Sequence, residues 1–447
     1  MLQAPPSGRL RGFVQSARAS LIAGRFLRLL GWSSAATLFD RASLLLAVFV
    51  SARLIDGESF GRWGVAQSTV GAVQIFVLLG SAILLTRFVP DDIKRAPERA
   101  AGTIRTTLAI AAVALGVAMV GLVIFGDEIA RTLFKEAPSV ELIALLTVWL
   151  GLSAFWVLLQ AALMALEDGQ SIAISSGATG ILCLALIPLG ASTIGYRGMM
   201  AGVIAAEAVR VLILTVQLDK RLEKFDLNVL GPISKRDFQR LVTFGLPVFL
   251  QSLLSAPVMW LAQMIILQRT PNGLEQVGLF NYALLFFSVV LLVSTKVNQA
   301  AMPIMSSLAG EGRIAALART AAVIAAAQLV AALVIAMPVF LMADWVLPPD
   351  YAGEALTIKL IALAGIVVAI QTMAANTLLV LDRQMTVLFS IVPWSVIMIG
   401  ISWYFPEFGA VSLTAGLLIG GGVRTMVLIT ACAVTLAGAW RDLGERA

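Results

Sequence analysis

The sequence predicts an all-α polytopic membrane protein, with twelve transmembrane helices in two pseudo-symmetric six-helix lobes around a central cavity. Three observations predict it. The 447 residues are 59% hydrophobic and only 13% charged, with a mean hydropathy of +0.93; a soluble domain carries about twice that charge fraction. The apolar runs are continuous over about 20 residues each, long enough for a helix to cross a bilayer, and lack the alternation of a porin-like barrel. The second half of the chain also echoes the first. "FLRLL" (26–30) matches "FQRLV" (238–242), "EDGQ" (167–170) lies over "LDRQ" (381–384), and "AGVIAAEAVRVLIL" (201–214) over "AGLLIGGGVRTMVL" (415–428). A parallel repeat of six-helix halves is a known transporter arrangement, with the binding cavity between the lobes.

The elements follow in order. A basic segment, 1–28, precedes an N-lobe over 29–218, with spans at 29–52, 63–86, 104–126, 141–164, 171–190 and 198–218. The polar stretch 219–236 is the one sizeable composition break and is read as the inter-lobe linker. The C-lobe, 237–437, holds spans at 239–267, 277–302, 316–341, 356–380, 386–404 and 409–436, followed by a tail at 438–447. With the N-terminus inside, the cytoplasmic regions carry 21 Lys and Arg and the opposite side seven, which places both termini and the linker in the cytoplasm. Trp32 and Trp440 on one side, and Trp63, Trp345 and Trp403 on the other, are read as interface anchors.

Composition also excludes functions. The net charge of +6 reflects basic cytoplasmic loops rather than a nucleic-acid partner. There is no histidine, hence no imidazole relay or His-based metal site, and no cofactor is expected. No G-x-x-x-x-G-K-[ST] occurs, so transport would draw on a gradient, the membrane potential or a partner. Cys183 and Cys432 lie in apolar runs, where packing is expected rather than a disulfide.

The charges inside the spans are the candidate functional groups, because a formal charge in the bilayer is costly and defaults to a functional role. Asp40 and Arg41 stand together at the middle of the first span. They point about 100° apart, yet both can face one cleft, as translocation-path charges or as a structural tie. Asp40 is the candidate counter-ion and coupling group, and Arg41 a candidate anion-binding group. Lys296, in "VSTKVNQAAMP" beside Asn298, either binds substrate or snorkels to the headgroups. Arg210 and Arg424 are repeat equivalents; Glu207 is expected to pair with Arg210 on one helix face, and Arg424 has Gly421 where that partner would stand. Gln67 and Gln251 are supporting polar residues, and Pro247 and Pro257 are candidate kinks for gating.

"SARLIDGESFGRWGVAQS" (51–68) and "FGLPVFLQSLLS" (244–255), within two six-helix halves, resemble the polysaccharide-transport flippases. These belong to the multidrug/oligosaccharidyl-lipid/polysaccharide exporter superfamily. The first stretch is similar to the family's "AR-L-G-E-FG-Y" turn, with Trp63 at an aromatic position. The resemblance runs from about residue 26 to 437. It implies a V-shaped alternating-access flippase of the bacterial inner membrane. Its substrate would be an undecaprenyl-diphosphate-linked oligosaccharide, moved from the cytoplasmic to the periplasmic leaflet, and an anion of that kind suits a cavity bearing Arg41, Lys296 and Arg424. Membrane lipids surround it, a polysaccharide polymerase and glycosyltransferases are candidate partners, and a monomer is expected. Three other readings stay open. A multidrug/cation antiporter of the same fold would call for unpaired intramembrane carboxylates. A lipid II flippase usually has two further C-terminal helices. A non-transporting scaffold of a glycan synthesis complex would not need Asp40 and Arg41 at mid-bilayer.

Overall fold

The computed structural model describes residues 38–95, 97–225 and 252–444, together with isolated positions elsewhere. Every regular element among them is helical. Helix α1 covers 38–51. Helix α2 (Gly57–Leu78) is capped by the Asp56 side chain, which accepts from the Ser59 amide. It breaks at Leu79 and Gly80, both at positive φ, and resumes as Ser81–Arg95. The rest of the N-lobe is α3 (Pro97–Ile124), α4 (Val140–Ala165), α5 (Gly169–Ile194) and α6 (Tyr196–Lys224). The C-lobe holds α7 (Ala256–Arg269), α8 (Gly273–Gly310), α9 (Ile314–Leu341), α10 (Ala355–Val380), α11 (Gln384–Tyr404) and α12 (Ala410–Gly444). Nine of these, α3–α6 and α8–α12, are long and apolar enough by themselves to cross a membrane. With α1, α2 and α7 they give the two-lobed, twelve-helix fold that the hydropathy predicts.

Two differences from the expected spans have local causes. Helix α6 continues six residues past 218, because Leu218 and Leu222 remain buried against the N-lobe and keep the amphipathic pattern going. Pro257 sits in the first turn of α7, just after a turn at 254–255. Its missing N–H costs nothing at that place, and the turn at 254–255 interrupts the expected span 239–267 between helical residues at 252–253 and α7. Pro247 and Gln251 lie outside the described residues, as do 1–31, most of 226–248 and 445–447.

The repeat is visible in the backbone. Gly195 and Gly409, at the repeat offset, both take positive φ (+68° and +53°) at the turns entering α6 and α12. The lobes meet unequally at the two ends of the bundle. At the end opposite the linker, one continuous apolar core draws on both lobes, including Trp63, Leu142 and Tyr196 from one and Leu274, Phe280 and Leu347 from the other. Toward the linker end the described apolar residues form separate cores, one in the N-lobe around Leu85, Ile104, Leu163 and Leu218, and others in the C-lobe around Met305 and Leu378. The outer junction is also polar. Arg53 donates to the Val346 carbonyl at 2.9 Å, Tyr351 Oη to the Gly57 carbonyl at 3.2 Å, and Lys135 Nζ to Gln268 Oε1 at 2.6 Å. The lobes are therefore closed on each other at the end opposite the linker, called the outer end from here on.

Trp63 does not anchor an interface. It is 1% exposed and stacked on Trp149, ring centroids 5.1 Å apart, inside the N-lobe. The motif "GESFGRWG" turns this face inward because α2 there packs on α4 as well as α8. Trp345 and Trp403 are exposed. Cys183 and Cys432 are both free.

Candidate functional site

Between the lobes lies a cavity of about 510 Å³. Helices α1 and α2 supply Arg41, Leu44, Gln67 and Ser68; the C-lobe supplies residues of α7, α8 and α10–α12, ending with Arg424. Trp260 lines it too, and its indole N–H donates to Thr69 Oγ1 at 3.1 Å across the lobe boundary. The polar groups inside are ordered. Asn281 Nδ2 donates to Gln263 Oε1 at 2.9 Å, and Gln371, 7% exposed, has its Oε1 buried without a partner.

Two guanidinium groups line this cavity and, among the described residues, no carboxylate does. Arg41 forms no ion pair among the described residues, and the contact recorded for Arg424 is a hydrogen bond from Nε to Ser390 Oγ at 3.3 Å. Their charge is directed at whatever occupies the space. A guanidinium presents a planar fork of donors that matches carboxylate or phosphate oxygens, and it does so most strongly where water is displaced.

The ion pairing of the N-lobe differs from the expectation. Asp40 pairs not with its neighbour Arg41 but with Arg210, 170 residues away, through Nη2 on Oδ1. Arg210 also donates to Thr179 Oγ1 at 3.2 Å and lies 4.7 Å from the centroid of the Trp156 ring. The physical reason is rotation. Helix α1 packs on α5, with Phe39 and Ser43 against Gly180, which directs Asp40 into the N-lobe and Arg41 about 100° away, into the cavity. Glu207 makes no ion pair with Arg210; its Oε2 is buried without a hydrogen-bond partner. At the repeat position of Asp40, the segment before α7 carries Ser252, so the C-lobe has no carboxylate at that place.

Arg41, Arg424 and Gln67 thus come together. Lys296 does not join them: it stands on α8 toward the linker end, outside the residues lining this cavity. Asn298 lines a second cavity of about 380 Å³ with Thr295, Met302, Thr372 and Asn376. Asn281, Gln371, Trp260 and Trp394 were not legible as site residues, since a polar or aromatic residue in a span packs against its neighbours as often as it faces a lumen.

Comparison with known proteins agrees with the fold. Residues 26–309 match the family described as polysaccharide biosynthesis protein. The EPS I polysaccharide export inner membrane protein EpsE of Ralstonia nicotianae is 22% identical over 366 residues, 78% of this chain and 79% of that protein. Among solved structures, the inward-facing conformation of a multidrug resistance MATE family transporter of the MOP superfamily gives a TM-score of 0.72 at 13% identity, over 92% of this chain and 99% of that one. The outward-facing conformation of a MATE family transporter gives 0.65 at 14% identity, over 93% and 96%. A MOP superfamily transporter from Pyrococcus furiosus, reported with a binding pocket of reverse polarity, gives 0.68 at 13% identity, also over 93% and 96%. With the family model spanning well over half the chain and the two-lobed fold shared throughout, this chain belongs to the polysaccharide biosynthesis protein family and has the fold of the MOP-superfamily transporters it matches.

Proposed function

We propose that the protein is a flippase of the bacterial inner membrane, carrying a polyprenyl-diphosphate-linked oligosaccharide from the cytoplasmic to the periplasmic leaflet by alternating access. The observation that supports this best is the sign of the cavity: Arg41 and Arg424 line it and, among the described residues, no carboxylate does. A diphosphate loses its hydration on entry, and two guanidiniums can replace it with charge-assisted hydrogen bonds. A cation antiporter would need the opposite polarity, and Asp40, the carboxylate nearest the cavity in sequence, is already bound by Arg210. On this reading the linker end faces the cytoplasm, following the 21-to-7 bias in Lys and Arg. The shut outer end then leaves the cavity accessible from the side where the substrate is assembled. Lys296 would meet the diphosphate at the cytoplasmic mouth, and both termini would be cytoplasmic. The Asp40–Arg210 pair, close to Arg41 but turned from the cavity, is the element through which a proton or cation would bias the transport cycle. A polymerase and glycosyltransferases would act before and after it.

The test is glycan export at matched protein levels. Arg41→Ala and Arg424→Ala should each cut export at least tenfold, since a charge-assisted hydrogen bond contributes about 1.5–3 kcal/mol. Arg41→Lys should retain part of it, because a point charge cannot reproduce the fork. Wild-type export in both alanine variants would overturn the reading.

A further inference from the structure

The second cavity follows the first along α8 and α10. Along α8, Asn281, Leu284, Leu285 and Ser288 line the Arg41–Arg424 cavity, while Thr295, Asn298 and Met302 line the smaller one. These positions recur at helical spacing and so form one stripe of α8. The same holds on α10, where Val368 and Gln371 give way to Thr372 and Asn376. The step from Ser288 to Thr295 is about 10 Å at 1.5 Å per residue, directed toward the linker end.

The chemistry changes along the stripe. The Arg41–Arg424 cavity carries two cations; the second, toward the linker end, has two amides, two hydroxyls and a thioether and, among the described residues, no charge. Its donors and acceptors are arranged. Asn298 is 7% exposed, and its Oδ1 accepts from Gln328 Nε2 at 2.6 Å, which leaves its Nδ2 donors for the cavity. Gln328 is fully buried and also donates to the Ser294 carbonyl at 3.3 Å, so it holds the Asn298 amide in orientation. Gln328 Oε1 and Ser294 Oγ beside it are buried without partners. Thr295 and Thr372 spend their hydroxyl protons on the carbonyls of Leu291 and Ala369, at 2.9 and 2.8 Å, and keep acceptor capacity. Asn376 has both amide functions unengaged among the described residues.

We infer that this cavity is a sugar subsite: Asn298, Asn376, Thr295 and Thr372 receive the hydroxyls of the sugar units next to the diphosphate held by Arg41 and Arg424. The inference rests on the flippase reading above and names the part of the site that senses the glycan. An alcohol both donates and accepts, which suits uncharged amides and hydroxyls and gives charged groups no advantage. The placement fits the molecule carried. The polyprenyl tail leaves sideways into lipid, whereas the sugars, on the far side of the diphosphate, need polar space continuous with water. Gln328 is a positioning residue in this scheme, acting through Asn298.

Binding to the purified full chain in detergent, followed by the fluorescence of Trp260 and Trp394 in the Arg41–Arg424 cavity, separates the two readings. The probes are undecaprenyl diphosphate alone and the same lipid bearing one glucose, galactose or N-acetylglucosamine. The wild type should bind at least one sugar-bearing probe about tenfold more tightly than the bare lipid, the yield of one or two net hydrogen bonds. Asn298→Leu and Asn376→Leu should reduce that gain to less than threefold, and Gln328→Leu should do so without touching the ligand. Asn376 is half-buried and unbonded, so its variant keeps the test open if the buried positions fail to fold. No gain for any sugar, or a gain that survives in Asn376→Leu, would overturn the subsite while leaving the flippase reading intact. Failure of the wild type to bind even the bare lipid would overturn both.

Discussion

Gly61→Ala should prevent the outer end from closing. Gly61 on α2 and Gly278 on α8 occupy matching places in the two halves, and they meet across the lobe boundary. A Cβ on Gly61 would lie 2.1 Å from the Leu274 carbonyl oxygen and 2.4 Å from its carbon; one on Gly278 would lie 2.9 Å from Gly61 Cα. These are backbone atoms, so no rotamer change relieves the clash, and α2 and α8 must separate by roughly 1 Å to reach ordinary contact. Overpacking of this kind costs about 1–3 kcal/mol, which corresponds to about 5- to 150-fold in the population with the outer end shut. The assay is a pulsed spin-label distance between Arg131→Cys and Glu407→Cys, exposed positions of opposite lobes at the outer end, in a background lacking Cys183 and Cys432. The wild type should give a short distance, and Gly61→Ala a population shifted to longer distances with reduced export. Gly400→Ala serves as the control, because a Cβ there meets nothing within 4 Å. Wild-type distances and export in Gly61→Ala would show that this contact does not govern closure.

Other outcomes follow from the ion pairs and the topology. Asp40→Asn leaves Arg210, 6% exposed, without its anion, and should lower stability by about 2–3 kcal/mol, less than a fully buried pair because Asp40 is 30% exposed. Adding Arg210→Gln should recover most of that loss in a thermal-unfolding series; a double variant no more stable than Asp40→Asn would deny the pair. If the pair also couples transport, reconstituted flipping by Asp40→Asn should respond less than wild type to an imposed proton gradient. At the linker-end turn before α5, burial works to raise the Asp168 carboxyl, but Arg221 at 2.6 Å and the Ser171 hydroxyl and amide outweigh it and hold the pKa below its usual value. Its contribution is therefore full above the unfolded value near 4 and fades as pH falls through the lowered folded value. Asp168→Ala should cost about 2 kcal/mol at pH 7, a deficit that shrinks as pH falls through the lowered folded value; a pH-independent deficit would assign the loss to packing. Finally, Asn228→Cys should resist, and Asn272→Cys accept, an impermeant maleimide applied outside intact cells. The reverse pattern would invert the topology.

Hydropathy alone located the apolar segments, and five of the spans (141–164, 171–190, 316–341, 356–380 and 386–404) end within four residues of the helices observed, because membrane insertion responds to runs of apolar side chains close together in sequence. It also marked Arg41 and Arg424, since a charge within such a run stands out without knowledge of its neighbours. What those charges touch was decided by tertiary packing. Asp40 and Arg41 are adjacent in sequence, yet the seating of Phe39 and Ser43 on Gly180 sends one to Arg210 and the other to the cavity. Trp63 is distinguished from Trp345 only by what packs against it, Trp149 in one case and open surroundings in the other. Asn298 became a candidate sugar ligand only when Gln328, thirty residues away, fixed which end of its amide faces the lumen. The chain thus specifies locally which segments enter the membrane, whereas the rotation of each helix about its axis, and with it the partner of every buried charge, depends on shape complementarity between segments far apart in sequence.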